Sequence, residues 1–182
     1  AIGAELTGAK EQLDIAIQHT GFLQDAITDA NVSGAYQHTE HVVNVLDGED
    51  GLLFGDLDQN GQPQNPGDGI GVLTYQSNAQ SLAEAMAVSL AASEEPDGET
   101  LAIDLAEDIA SSIETINAIQ KEALNLIGAA TIDEVNPMAQ AMSALIDVAS
   151  SQFDIVAAQY ELLSEFIASL DESDDGDETM TV

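Results

Sequence analysis

The chain has 182 residues, 45% of them hydrophobic, with 34 acidic side chains against two lysines, no arginine, no cysteine and a formal net charge of −32. That length and apolar content can bury the core of one domain, whereas the scarcity of Lys and Arg excludes nucleic acid and anionic membrane as partners. The missing Cys excludes disulfides, thiolate metal sites, covalently attached haem and a cysteine nucleophile, which leaves cations as the favoured partners, and self-repulsion on this scale points to a hypersaline setting where salt screens it.

Residues 5–30 carry Leu6, Ala9, Leu13, Ala16, Thr20, Leu23, Ile27 and Ala30 at alternating spacings of three and four, which predicts a helix with a narrow, alanine-rich apolar seam. Asn31-Val32-Ser33-Gly34 interrupts it, and Ser33 is the expected N-cap of a shorter helix from Ala35 to Leu46, so the two form an αα-hairpin. Between Gly48 and Gly71 stand seven glycines and two prolines, a composition that predicts a long loop. Helical periodicity resumes near Leu73 and runs through Ala79, Leu82, Met86 and Leu90 to Ala92, followed by a solvated turn over residues 93–98.

From Glu99, the positions Leu101, Leu105, Ile109, Ile113, Ile116, Ile119, Ala123 and Ile127 mark a long amphipathic helix that stops near Gly128. The last helix has two start signals, the capping-box pattern Thr131-x-x-Glu134 and the pair Asn136-Pro137. Its seam runs from Met138 and Met142 through Ala149, Phe153 and Leu163 to Leu170. No run of ~18 apolar residues is read as a membrane span. The expected fold is all-α, an up-and-down bundle of four to five helices over residues 1–170 as one domain, with a Gly/Asp-rich loop at 48–71 and an acidic tail or linker at 171–182.

Within the loop, Asp56-Leu57-Asp58-Gln59-Asn60-Gly61-Gln62 resembles the first half of an EF-hand calcium loop. The resemblance implies oxygen ligands from Asp56, Asp58, Asn60 and the backbone carbonyl of Gln62, with Gly61 at the sharp turn. It then fails: Gly67 stands where the EF-hand places its bidentate Glu, Asp68 comes one residue late, and Pro63 and Pro66 obstruct an exiting helix. The expectation is therefore a calcium site of Asp56, Asp58, Asn60, Gln62 and Asp68 in a different scaffold, with modest affinity, as in extracellular modules. The same residue types also form plain turns.

His19, His38 and His41 are the second candidate. If the first hairpin turns near Val32, His19 approaches the face of the second helix shared by His38 and His41. The three imidazoles could hold Zn²⁺, Cu²⁺ or Fe²⁺, with Glu40 or Asn44 nearby, or a haem opposite Met138 or Met142. Half-buried polar packing is the alternative. No P-loop, G-x-G-x-x-G, G-x-S-x-G or H-E-x-x-H is present, and no nucleophile with a positioned base can be named. The functional expectation is a non-enzymatic, salt-adapted bundle with a calcium-binding loop and a structural or interaction role at the cell surface, with a protein partner or as part of a larger surface protein. The alternative is a transition-metal or haem carrier or electron-transfer protein built on the histidines.

Overall fold

The computed structural model describes residues 1–174, with side chains described through residue 170. Among these the chain is all-helical, with α1 (Ile2–Thr28), α2 (Val32–Asp47), α3 (Val72–Ala92), α4 (Pro96–Ile127) and α5 (Ile132–Asp174). Residues 171–174 of the expected tail are thus the end of α5, and 175–182 lie outside the described residues.

Local chemistry sets the helix starts. Asn31, rather than Ser33, caps α2, because its side-chain oxygen accepts a hydrogen bond from the Gly34 amide at 3.0 Å. α4 begins at Pro96, three residues before the expected Glu99, since proline's fixed φ and missing N–H suit the first helical turn. At α5 the capping box prevails: Glu134 N–H donates to Thr131 Oγ1 at 3.4 Å, and Glu134 Oε2 accepts from the Ala130 amide at 2.7 Å. Pro137, the competing start signal, is carried inside the helix.

The three longest helices, α1, α4 and α5, have 27, 32 and 43 residues and contribute to both apolar cores. In one core, Leu13 and Leu23 of α1 meet Val42 and Leu46 of α2, Ile116 and Leu126 of α4, and Met142 and Phe153 of α5. In the other, Ile2 and Leu6 of α1 meet Ala83 and Leu90 of α3, Leu105 and Ile109 of α4, and Val156 and Leu163 of α5. α2 and α3 thus occupy successive stretches along α1 and α4, with segment 48–71 leaving the bundle between them. Met142, a candidate haem ligand, is fully buried in the first core, and Met138 packs against it.

α5 corrects one expectation: an 18-residue window of mean hydropathy 1.2 makes it long and apolar enough, by length and composition alone, to cross a membrane. Its buried positions recur at roughly one per turn, at Val135, Ala139, Met142, Ile146, Ala149 and Phe153, as expected for a helix seated one-sidedly on a bundle.

Segment 48–71 closes on itself. Glu49 N–H donates to the Gly69 carbonyl at 2.7 Å. Gly48 (φ 81°, ψ 168°) and Gly71 (φ 86°, ψ 149°) sit in a region of backbone space that is essentially glycine-only. A methyl group at Gly48 would lie 2.2 Å from the Ile70 carbonyl oxygen, and one at Gly71 would lie 2.5 Å from the Gly48 nitrogen. Gly71→Ala should therefore lower the stability measured by denaturant titration by about 2 kcal/mol or more. Gly21→Ala, at an exposed α1 position with nothing within 4 Å of the added methyl, should be neutral or stabilising by about 0.5–1 kcal/mol. Equal effects at the two sites would contradict a backbone crossing at the loop base.

Candidate metal centres

Residues 39–46 of α2 are buried without a break, although the run mixes apolar and polar types. Val42, Val43, Val45 and Leu46 enter the core, while Glu40, Asn44 and Asp47, spaced i, i+4 and i+7, share a polar face that segment 53–65 covers. Glu40 Oε2 accepts from the Asp58 amide at 3.0 Å, and its Oε1 accepts from the Gln64 amide at 2.8 Å. Asn44 pairs with both backbone groups of Gly55, each at 3.0 Å, and donates to the Gln64 carbonyl at 2.9 Å. Asp47 Oδ2 accepts from the Leu53 and Phe54 amides at 2.6 and 3.1 Å. These side chains satisfy backbone groups that a helix or strand ladder would otherwise satisfy.

One cluster gathers Glu40, Asp56 and Asp58, each offering a carboxylate oxygen within 4.8 Å of the others. Asp56 Oδ2 accepts from the Gly61 amide at 2.9 Å, Asp58 Oδ1 from the Asn60 amide at 2.9 Å, and Asn60 Oδ1 from the Gln62 amide at 3.0 Å, a tight turn. Asp56 Oδ1 is buried and has no hydrogen-bond partner. Asp56 and Asp58 therefore converge as the motif predicts, and the further carboxylate comes from α2. Asp68 is held elsewhere, accepting from Tyr75 O–H at 2.7 Å and the Ile70 amide at 2.9 Å. That hydrogen bond to the Asp68 carboxylate is the main reason Tyr75 is pushed up to about 12. Asn60 and Gln62 lie in the turn, both exposed.

The second cluster is His19 of α1 with His38 and His41 of α2, as the hairpin register predicts. His19 Nδ1 lies 3.2 Å from His38 Nδ1 and 3.1 Å from His41 Nδ1. Nitrogens on a tetrahedral ion at about 2.0–2.1 Å stand about 3.3–3.4 Å apart, so this spacing matches a shared ion. His41 is 8% exposed and the other two are half-buried, with Phe22 edge-on to His19 at a centroid distance of 5.4 Å.

Proton counting sharpens the argument. His41 Nε2 faces Gln64 Oε1 at 2.7 Å, an acceptor, so this nitrogen donates and neutral His41 keeps a bare Nδ1. His19 Nδ1 carries at most one proton and can satisfy only one of its two short contacts by donating. In the neutral cluster with His41 Nδ1 bare, therefore, at most one of the two contacts is a full hydrogen bond and the other is left unsatisfied, which a cation bound by all three rings relieves. Burial, and then the neighbouring His41 and His38 rings, push His19 down to about 4. His38 is lowered as well, by burial and His41 against the opposing pull of Asp25. Neutral imidazole is the form that ligates metals.

Two positions were missed in the sequence: Glu40 as a partner of the loop acids and Gln64 as a partner of His41. The spacing of Glu40, Asn44 and Asp47 on one helix just before a long loop is the signal that could have found the first; a lone loop glutamine carries none. Comparison with protein-family models, curated proteins and solved structures returns no match to this chain.

In metal-free protein, ¹⁵N-resolved NMR should show His19 titrating near pH 4, well below the usual 6.5. The unfolded chain takes up this proton at higher pH than the folded one, so His19 contributes stability that is present above about 6.5 and lost as pH falls towards 4. His19→Gln should flatten that part of the stability profile relative to the parent. A His19 midpoint at or above 6.5 would mean that the three rings do not meet.

Proposed function

We propose that this chain is a non-enzymatic metal-binding helical-bundle protein whose His19, His38 and His41 hold a transition-metal ion. The observation that carries this reading is the approach of the Nδ1 atoms of His38 and His41 to that of His19, at 3.2 and 3.1 Å. An all-imidazole donor set suits Cu²⁺, Zn²⁺, Fe²⁺ or Ni²⁺. A haem fits less well, because three nitrogens converging on one point leave no plane for a macrocycle. With no nucleophile and base assigned, the role is carriage or sequestration of the ion, or electron transfer if the ion is copper or iron. The carrier reading, second in the sequence analysis, thus comes first.

A second reading has its own support. The buried, unpartnered Asp56 Oδ1 and the convergence of Asp56 and Asp58 on Glu40 favour a calcium ion that orders the loop. Hard carboxylates and softer imidazoles select different ions, so the two readings are compatible. On this second reading the protein has a structural or interaction role at the surface of a cell in a hypersaline medium.

Elemental analysis of the protein as isolated tests both. A near-stoichiometric transition metal that is lost in His41→Ala supports the first reading, and a preparation that neither carries nor takes up such a metal overturns it. A melting temperature lowered by chelation and insensitive to chelation in Asp58→Ala supports the calcium loop. The salt reading has a separate test: transfer from molar KCl to about 0.1 M, where the Debye length grows from ~3 to ~10 Å, should lower the melting temperature of the metal-free protein. Unchanged melting across that range would remove the hypersaline assignment.

A further inference from the structure

Gln64 lies on the covering loop and reaches both α2 and the histidine cluster. Its amide N–H donates to Glu40 Oε1 at 2.8 Å and its carbonyl accepts from Asn44 Nδ2 at 2.9 Å, so its backbone is pinned at both ends to buried side chains of α2. Glu40 is 1% exposed and Asn44 is fully buried. Its side chain then meets His41 Nε2 at 2.7 Å, on the opposite side of the ring from the Nδ1 atom that faces His19.

A neutral imidazole has one N–H, and whichever nitrogen carries it cannot ligate. A carbonyl oxygen at Nε2 draws the proton there and leaves the Nδ1 lone pair aimed at the other two rings. Without that acceptor His41 divides between two tautomers, and one of them puts a proton into the space the ion needs. The opposite amide orientation, with NH₂ towards the ring, would favour the proton on Nδ1 and close the site. Resting on the three-histidine reading above, we propose that Gln64 is the positioning residue of the histidine centre. It fixes the ligating tautomer of His41 and thereby makes metal affinity depend on the seating of the loop against α2.

The consequence is that part of the metal centre's second layer is supplied by a segment without regular secondary structure. Glu40 and Asn44 take part in metal binding without touching the ion, because they hold the Gln64 backbone. Groups that orient a ligating histidine in this way are typically worth 10–100-fold in affinity.

The test uses the full chain and Zn²⁺ in competition with a chromogenic chelator, alongside ¹⁵N-detected tautomer assignment of His41 in metal-free protein. The parent should show His41 as the Nε2–H tautomer. Gln64→Ala should weaken Zn²⁺ binding about 10–100-fold and give a mixture of tautomers. Gln64→Glu, which keeps an acceptor at the same reach, should restore the Nε2–H tautomer and most of the affinity. A merely structural Gln64 would not show this rescue together with a tautomer shift. Parent-like binding in Gln64→Ala, equal weakening in Gln64→Glu, or an Nδ1–H tautomer in the parent would each overturn the inference and leave the three-histidine reading standing. Failure of the parent to bind Zn²⁺, Cu²⁺, Fe²⁺ or Ni²⁺ would overturn both.

Discussion

The structure depends on one constraint: a stretch of helix buried on every side, here residues 39–46 of α2, must satisfy polar groups on the face that does not meet the apolar core. α2 does so by turning Glu40, Asn44 and Asp47 towards a loop and accepting or donating hydrogen bonds to its backbone. Hydrogen bonds to charged acceptors contribute about 1.5–3 kcal/mol each, and leaving their buried partners unmade costs a comparable amount. The loop and α2 are thus one cooperative unit. The loop lacks a ladder of its own and takes its backbone partners from α2, and the loop's cover is what buries Glu40, so the cover and the hydrogen bonds that match the carboxylate arrive together. Both candidate metal centres form along this contact, on consecutive residues Glu40 and His41, which project to different sides of the helix.

Much of the bundle was legible because helix periodicity is repeated many times along a seam. The α1 positions from Leu6 to Leu23 are buried as the spacing predicts; in α4 Leu105, Ile109, Ile116, Ile119 and Ala123 are buried while Leu101, Ile113 and Ile127 are half-buried, and in α5 Met142, Ala149, Phe153 and Leu163 are buried while Met138 and Leu170 are half-buried. The departures are local. Ala30 leaves the α1 seam because the helix ends at Thr28, while Ile27 stays half-buried against the first core beside the buried Ala26. Asn31 and Pro96 set helix starts through cap geometry, which composition alone ranks poorly against nearby alternatives such as Ser33. The histidine cluster was legible because hairpin register needs only the position of the turn. The acidic cluster was half legible: the order of Asp56, Asp58 and Asn60 announces a turn of that shape, but which carboxylate joins it depends on long-range packing that no local pattern encodes. Asp68 was the nearer candidate in sequence, yet the position of Tyr75 draws it away.

Charge is distributed with corresponding economy. Among the described residues Glu40 is the one buried carboxylate, and Lys10 with Asp14 forms the one side-chain ion pair. Asp47, Asp56 and Asp58 are half-buried where the loop meets α2, and most of the other acids are left to water and counterions, where burial costs are small but mutual repulsion is not. A long Gly-rich segment would ordinarily be a weak point in such a field; here its most constrained part sits over buried hydrogen-bond partners. The lowered proton affinity of His19 and His38 follows from the same enclosure, since the surrounding field of carboxylates would by itself raise it.

The crossing of backbones at Gly48 and Gly71 gives segment 48–71 the character of a cassette. Its two ends touch, so the distance between the end of α2 and the start of α3 is fixed by the crossing and not by the number of residues between them. Closing a longer or shorter excursion over the same gap changes chain entropy only slowly with length. The bundle can therefore host different contents at the exposed tip, residues 59–63, while its helices keep their register, whereas the parts that pair with α2 or pack on the core, Leu53 and Leu57 among them, are tied to the rest of the fold.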